Sequence, residues 1–447
     1  MTHNRRPFPA LTRRAALLAP LALGGCSIWD DWFGADKAPL PGNRKPVMAA
    51  RRGLSEDSIS GATVTLPPAD PRPEWPQPGG APSHEGGRPA ARDSLARAWS
   101  ASIGAGGGYR RKITAQPVVA GGRVFTMDSD AQVSAFDAAS GRNIWRADTQ
   151  GEEDRSTNVG GGVAVDGGTL YAATGRGEML AMEAATGRVQ WRQRLPTAAR
   201  SAPTVAEGRL FVATLDNQIL ALSADDGKRV WSHQAPAAET TVLGLPAPAY
   251  ADGIVVAGFG SGDLLALRAA SGGVAWSDSL ASARGRTSIV DLSAIRGMPV
   301  IKGGVVYGIG LGRLMLAVDM RSGRRLWERE VASSETPWVA GDWIFIMDTD
   351  NQMGAINRND GGLAWVSQLG RFENEEKQRN PITWVGPVLA GDRLVVAGST
   401  GVAQFVNPVT GKVLGEQKLS SAIAVAPIVA DGTLYAVTDD GTLTAYR

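Results

Sequence analysis

The sequence is poor in the side chains that most often carry catalysis or bind metals. It contains one cysteine, Cys26, which excludes an intrachain disulfide, and three histidines, His3, His84 and His233. A zinc site needs three or four converging cysteine, histidine or carboxylate ligands, and a serine or cysteine nucleophile needs a neighbouring histidine. Only His233 is predicted to lie in the folded body, and no GxSxG motif accompanies it. The sequence therefore predicts no catalytic residue, no bound cofactor, no metal site and a protein that is not an enzyme.

The chain also lacks an excess of charge of either sign. Its 46 lysine and arginine residues nearly balance 44 aspartate and glutamate residues, and charged residues make up only 20% of the sequence. A nucleic-acid-binding domain usually presents a basic face, so no nucleic-acid partner is predicted. Glycine is abundant instead, with 56 residues, and this composition favours many short strands joined by tight turns.

Residues 1–25 have the composition of a lipoprotein signal peptide. Several arginines precede an apolar run, Ala15–Leu23, that is too short to span a bilayer as a helix. The run leads into Gly24-Gly25-Cys26, which resembles the bacterial lipobox, in which the cysteine is lipidated and becomes the mature N-terminus. The pair Arg13-Arg14 also resembles part of a twin-arginine signal, so Sec and twin-arginine export both stay open. The alternative for Cys26 is a buried free thiol.

A lipidated Cys26 predicts a firm membrane anchor, because several acyl chains are attached and a single chain alone binds only marginally. Ser27 follows the cysteine, where an aspartate often retains such lipoproteins in the inner membrane, so the periplasmic face of the outer membrane is favoured. Residues 26–92 are rich in proline and glycine and predict a lipid-anchored tether, since they cannot bury enough apolar surface to fold alone. Trp75 is the exception, because so large an apolar side chain is expected to pack on the body.

From about residue 95 the chain repeats one pattern, in which a glycine precedes a tryptophan by four residues, as in "SGRNIW" at 140–145. The tryptophans of this pattern are Trp145, Trp191, Trp231, Trp276, Trp327 and Trp365. A further copy has Gly415 where tryptophan is expected, which predicts local loosening of that repeat. The period of about 45 residues is in the range of propeller blades.

Each repeat shows the apolar alternation of short strands separated by turns. Asp137 and Asn357 stand where turns begin, so such side chains are predicted to form turns and not to act as catalytic acids. The last repeat has only three strands, and the segment carrying Trp99 supplies the fourth. The predicted fold is all-β: residues 93–447 form an eight-bladed β-propeller of four-stranded antiparallel blades, its ring closed by the N-terminal strand joining the C-terminal blade.

Tandem "LxAxDxxTGxxxW" blades of this type resemble the quinoprotein-alcohol-dehydrogenase-like eight-bladed propellers. Within that superfamily, the lipobox, the tether and the length of the propeller resemble the family of the outer-membrane protein assembly factor BamB. The resemblance implies a non-enzymatic scaffold lipoprotein of the outer-membrane β-barrel assembly machinery. It implies a BamA-type barrel protein and other assembly lipoproteins as partners, with unfolded β-barrel proteins as further clients.

The resemblance also places the partner-binding residues in two loops. In "ETTVLG", at 239–244, Gly244 matches the family's stretch, whereas Leu243 stands where the family has an arginine. In "RTSIVDLSAIR", at 286–296, Asp291 matches one acidic position, and Arg286 lies in the same insertion. Partner binding is therefore predicted at Leu243, Gly244, Arg286 and Asp291. The alternative for each residue is a role in stabilising its own loop.

Two alternative functions stay open at this point. One is a periplasmic propeller adaptor of another envelope system, which no sequence feature excludes. The other is a relative of the dehydrogenases that use pyrroloquinoline quinone (PQQ) and calcium. Those enzymes are longer and usually carry an adjacent cysteine pair, whereas the only cysteine here is the predicted lipidation site.

Overall fold

The computed structural model describes residues 54, 61–92, 95–109, 111–150, 158, 160–237, 244, 246–281 and 293–447. These residues contain 34 β-strands and no α-helix. Accordingly, no helix in this part of the chain could cross a membrane.

The strands have the following bounds. They are β1 (Arg97–Ser102), β2 (Val118–Ala120), β3 (Arg123–Met127), β4 (Val133–Asp137), β5 (Asn143–Ala147), β6 (Gly161–Asp166), β7 (Thr169–Thr174), β8 (Glu178–Glu183), β9 (Val189–Arg194), β10 (Thr204–Ala206), β11 (Arg209–Ala213), β12 (Gln218–Ser223), β13 (Arg229–Gln234), β14 (Ala249–Ala251), β15 (Ile254–Gly258), β16 (Asp263–Arg268), β17 (Val274–Ser279), β18 (Val300–Lys302), β19 (Val305–Ile309), β20 (Met315–Asp319), β21 (Arg325–Arg329), β22 (Trp338–Ala340), β23 (Trp343–Met347), β24 (Gln352–Asn357), β25 (Leu363–Gln368), β26 (Phe372–Asn374), β27 (Arg379–Pro381), β28 (Trp384–Ala390), β29 (Arg393–Gly398), β30 (Val402–Val406), β31 (Val413–Lys418), β32 (Ile428–Ala430), β33 (Thr433–Thr438) and β34 (Thr442–Tyr446).

The strands form eight four-stranded antiparallel sheets, which are the blades of a propeller. Blades 1 to 6 are β2–β5, β6–β9, β10–β13, β14–β17, β18–β21 and β22–β25, blade 7 is β28–β31, and blade 8 is β32–β34 with β1. Strands β26 and β27 form a separate hairpin between blades 6 and 7. The predicted all-β, eight-bladed fold is confirmed.

The ring closes through the pairing of the first and last strands. Strand β1 runs antiparallel to β34, with Arg97 opposite Tyr446. Beyond that pair, the backbones of Ala96 and Arg447 exchange two hydrogen bonds of 2.9 and 2.8 Å. The predicted closure by the N-terminal strand is confirmed, and it leaves no gap in the ring between the chain ends.

In seven of the eight blades, the repeated tryptophan packs against the third turn of the next blade. Trp191 lies on the outer strand of blade 2. It donates its indole N–H to Ala224 O, in the third turn of blade 3, at 3.2 Å. A Cβ on Gly227 of that turn would lie only 2.6 Å from the Trp191 ring, so only glycine allows this approach. The same indole-to-carbonyl bond recurs for Trp99 with Ala138, Trp145 with Ala184, Trp231 with Ala269, Trp276 with Met320, Trp327 with Arg358 and Trp365 with Pro408.

Residues 61–92, called the N-terminal arm below, pack on the propeller. The indole of Trp75 is 1% exposed and stacks on Trp338, with ring centroids 5.9 Å apart. Its backbone exchanges two hydrogen bonds of 2.8 Å with Val119, on the innermost strand of blade 1. The expectation that Trp75 packs on the body is confirmed.

The arm makes one complete circuit of the ring and contacts the innermost strand, or the turn after it, in every blade. In blade order 1 to 8, the hydrogen-bonded pairs are Trp75 with Val119, Pro76 with Val165, Gln77 with Val205, Pro82 with Tyr250, Ser83 with Ile301, Gly87 with Val339, Pro89 with Gly391, and Arg72 with Asp431. The circuit closes on itself where Asp70 exchanges hydrogen bonds of 2.7 Å with Arg88 and Ala90. The arm therefore satisfies backbone groups on the inner edge of each blade that no neighbouring strand pairs.

Candidate partner-binding face

The propeller has two different faces because each blade is an antiparallel meander. The first turns of all blades and the third turns of blades 1 to 7 lie on one face, called the turn face. The second turns and the connections between blades lie on the other, called the loop face. The arm lies at the turn face, where Glu74 accepts a 2.8 Å hydrogen bond from the first-turn amide of Gly121 and Pro89 accepts one from that of Gly391.

The described ends of the two connections that carry the predicted partner-binding residues lie on the loop face. One joins β13 to β14 over residues 235–248, and the other joins β17 to β18 over residues 280–299. These connections enter and leave the same blade, blade 4, so they flank it. The structure thus places the bases of these two connections on either side of one blade.

Of the predicted partner-binding residues, the structure describes Gly244 alone. Its φ is +81°, and a Cβ there would have no atom within 4 Å, so the glycine serves the backbone conformation and not close packing. Leu243, Arg286 and Asp291 lie outside the described residues, as does Cys26.

The described ends of both loops are fixed to the rigid ring. Asn217, in a second turn of blade 3, donates its side-chain N–H to Pro236 O at 2.8 Å. Ile295 is fully buried, and its backbone N–H donates to Phe259 O at 3.1 Å. Ser293 donates its hydroxyl to Ser261 O at 3.0 Å. The loops therefore leave the ring from well-anchored bases.

An exposed arginine, Arg296, lies in the described end of the second loop. Burial raises the pKa of the Glu335 carboxyl. The Gly386 amide, which donates to this carboxyl at 3.2 Å, and the charge of Arg296 oppose that rise. Glu335 therefore lies near an exposed cation on the loop face.

A cleft of about 310 Å³ opens on the loop face beside blade 6. The second turn of that blade forms one wall, and the β26–β27 hairpin with Trp384 forms the other. Asn351 ties the walls together by donating to Ile382 O at 2.9 Å, and Trp384 donates to Gly370 O at 2.8 Å. The sequence analysis missed this hairpin, although the polar run "FENEEKQRN" at 372–380 between two blades was its signal.

The acidic side chains of the repeats form turns. Asp137 accepts hydrogen bonds from the amide and the hydroxyl of Ser140, at 2.8 and 2.6 Å, and these bonds lower its pKa. Asp319 makes the same pair of bonds with Ser322. The prediction that these acids are turn formers is confirmed. In the described part of the chain, no three histidine, cysteine or acidic side chains converge as metal ligands.

One prediction about histidine was wrong. His84 belongs to the folded body together with His233, because the arm carries it into the interior, where it is 2% exposed. Burial lowers the pKa of His84 to about 4, and its Nδ1 lies 2.8 Å from Pro299 O. The imidazole is therefore neutral at physiological pH and donates to that carbonyl, which is a structural role.

Comparison with known families gives one consistent match. The family model described as outer membrane protein assembly factor BamB matches residues 129–367 and 353–447. A second model, described as the β-propeller domain of glucose, ethanol and alcohol dehydrogenases, matches residues 89–166.

Individual relatives agree with the first model. The chain is 35% identical over 356 residues to the outer membrane protein assembly factor BamB of Salmonella typhimurium, covering 78% of this chain and 87% of that protein. It is 34% identical over 355 residues to the Escherichia coli protein of the same name, covering 77% and 87%.

Solved structures share the fold at lower identity. The crystal structure of BamB from Moraxella catarrhalis superposes with a TM-score of 0.66 at 21% identity, covering 79% of this chain and 99% of that one. The quinohemoprotein alcohol dehydrogenase of Comamonas testosteroni superposes with a TM-score of 0.63 at 15% identity, covering 84% and 80%. At these identities the likeness extends to the fold alone.

Proposed function

This chain belongs to the family of the outer membrane protein assembly factor BamB, and we propose from that membership that it acts as a non-enzymatic scaffold in the assembly of outer-membrane β-barrel proteins. The observation that carries the proposal is the 35% identity to a curated relative over 78% of the chain, which spans most of the propeller. The partner is a BamA-type barrel protein, together with other lipoproteins of the same machinery and, as clients, unfolded β-barrel proteins.

The geometry of the loop face supports this role. Two connections that flank blade 4 leave the ring from anchored bases, and they carry Leu243, Gly244, Arg286 and Asp291. A rigid ring that presents variable loops on one face is suited to binding a protein partner. The turn face is already occupied near its centre by the arm, so the loop face is the proposed partner-binding face.

The second part of the proposal is the location of the protein. Lipidation of Cys26 anchors the chain to the periplasmic face of the outer membrane. The composition of residues 1–26 supports this, since an arginine-rich start, a short apolar run and the only cysteine follow one another in the order of a lipoprotein signal.

The test is purification of the tagged full-length protein from its own envelope in mild detergent, with mass spectrometry of the proteins that accompany it. A Cys26→Ala variant is the matched control for the anchor. Recovery of a BamA-type barrel protein with several lipoproteins supports the proposal. Recovery of no barrel-assembly protein with either form contradicts it.

A second readout addresses function directly. Depletion of the protein is expected to lower the level of outer-membrane porins relative to periplasmic proteins of similar abundance. An unchanged porin level on depletion would assign the propeller to another envelope system.

A further inference from the structure

Blade 6 lacks a leucine that blades 2 to 5 possess. The position of this leucine is on the third strand, one residue before the residue that pairs with the repeated tryptophan. In blades 2 to 5 this residue is Leu180, Leu220, Leu265 and Leu316, and each side chain is buried against the preceding blade. In blade 6 it is Gly354, which has no side chain to place there.

Leu54 of the N-terminal segment fills the vacant position. A Cβ built on Gly354 would lie 2.5 Å from Leu54 Cδ1, so the leucine occupies the space that a larger residue at 354 would use. The Leu54 residue is 6% exposed and belongs to the apolar cluster between blades 5 and 6, with Ile346 and Leu363. Its position therefore matches that of the missing blade 6 leucine.

The backbone of Leu54 is held as well. Its N–H donates to Asp348 Oδ2 at 3.0 Å, while Oδ1 of the same carboxylate accepts from the amides of Asp350 and Gln352. Asp128 makes the equivalent bonds in blade 1, where the third donor is Ala105, on the connection that leads into that blade. In blade 6 the third donor is the backbone N–H of Leu54.

We propose that the space at Gly354, together with Asp348, is an intramolecular docking site for Leu54, and that it fixes where the membrane-anchored segment joins the propeller. The site binds an apolar side chain together with the backbone N–H of the same residue. The functional consequence rests on the proposed lipidation of Cys26, whereas the docking itself does not.

The docking site lies on the side of the ring proposed to bind the partner. Asp348 begins the second turn of blade 6, which belongs to the loop face. The 28 residues from Cys26 to Leu54 reach at most about 95 Å, at roughly 3.4 Å per residue when fully extended. Leu54 therefore joins the propeller at the loop face, which is also the side on which the connections flanking blade 4 begin and end.

The test is hydrogen–deuterium exchange with mass spectrometry on the full-length lipidated protein in detergent. The variant Gly354→Leu gives blade 6 the residue of blades 2 to 5 and leaves no room for Leu54. We expect the Leu54 amide to exchange at least about tenfold faster in this variant than in the unaltered protein, while the amides of Trp75 and Gly87 in the arm stay protected.

Two further variants keep the outcome interpretable. Leu54→Asp leaves the propeller sequence intact and should release the same amide even if Gly354→Leu folds poorly. Gly415→Leu is the matched control, because a Cβ there meets no atom within 4 Å and lies in another blade, so Leu54 should stay protected.

A Leu54 amide that exchanges equally fast in the unaltered protein, Gly354→Leu and Leu54→Asp would overturn the docking site. This readout involves no other component of the envelope. If the docking holds while purification from the envelope recovers no barrel-assembly protein, the proposed function fails and the docking site stands.

Discussion

Phe405 lies directly opposite Gly415 in blade 7, on the third and fourth strands. In the other seven blades the corresponding pair is an alanine opposite the repeated tryptophan, as with Ala355 and Trp365. The missing tryptophan of blade 7 thus coincides with a larger residue on the neighbouring strand. Blade 8 also has no third turn, because its fourth strand is β1 and does not follow β34 in the chain. A tryptophan at 415 would therefore have no glycine turn to contact.

Phe405→Ala is expected to destabilise the propeller by about 1–2 kcal/mol, because it removes half-buried aromatic surface that no tryptophan replaces. The double variant Phe405→Ala with Gly415→Trp should recover part of this loss, since it restores the alanine–tryptophan pair of the other blades. Chemical denaturation of the three forms measures both effects. Equal stability of Phe405→Ala and the unaltered protein would show that the pair does not compensate for the missing tryptophan.

Gly227→Ala and Gly208→Ala form a matched pair for the wedge between blades. Both glycines have a φ of +70°, so each alanine carries the same backbone strain. A Cβ at 208 meets no atom within 4 Å, whereas one at 227 lies 2.6 Å from the Trp191 ring. We expect Gly227→Ala to lower the free energy of unfolding by about 1–3 kcal/mol more than Gly208→Ala does, because only the alanine at 227 forces the indole to move. Chemical denaturation of the two variants measures this difference. Equal losses of stability would mean that the Trp191 indole can move without destabilising the propeller.

Trp75→Ala tests whether the arm is part of the core. Removing so deeply buried an indole is expected to cost about 3–5 kcal/mol. Tyr109→Ala is the control, because Tyr109 is 98% exposed and should change stability by less than about 0.5 kcal/mol. Similar unfolding midpoints for the two variants would show that the arm adds little to the stability of the ring.

His84 predicts a loss of stability in mild acid. Its folded pKa of about 4 lies below the unfolded value of 6.5, so the unfolded chain binds a proton first as the pH falls. The stabilisation from the neutral imidazole is complete above pH 6.5 and declines between 6.5 and 4, by on the order of 3 kcal/mol in total. His84→Gln removes this titration and keeps an N–H donor for Pro299 O. The free energies of unfolding of the unaltered protein and of His84→Gln should converge as the pH falls over that range. Parallel curves would contradict the lowered pKa of His84.

The blades could be predicted from the sequence because each one is encoded locally. The alternation of apolar residues and the turn glycines recur along the repeats, with the tryptophan at a fixed offset in all but the copy that has Gly415. A strand with Trp99 was left over to close the ring. The predicted turn acids were likewise local, since Asp137 binds a residue only three positions away.

The course of the arm could not be predicted, because its contacts are distant in the chain and mostly use backbone groups. Gln77 bonds to Val205, and Gly87 bonds to Val339, and neither pairing leaves a sequence pattern. The burial of His84 follows from the same circuit. In the sequence Gly354 looks like an ordinary glycine of a strand, because its contact with Leu54 is distant in the chain.

The candidate site was predictable only as a pair of loops. The resemblance to the BamB family indicated residues near 243 and 291, and the blade order then places the ends of both loops beside blade 4. The cleft at Trp384 depends on the β26–β27 hairpin, whose polar sequence resembles that of any exposed connection.

The most direct test of the central claim is binding of the soluble Cys26→Ala protein to the purified periplasmic domains of the BamA-type protein from the same organism, by titration calorimetry. We predict saturable binding that Asp291→Lys and Leu243→Asp each weaken at least about tenfold, or roughly 1.4 kcal/mol. Arg321→Glu, in a third turn on the turn face, should bind like the unaltered protein. Absence of binding by the unaltered protein, or weakening by Arg321→Glu alone, would contradict a partner-binding loop face.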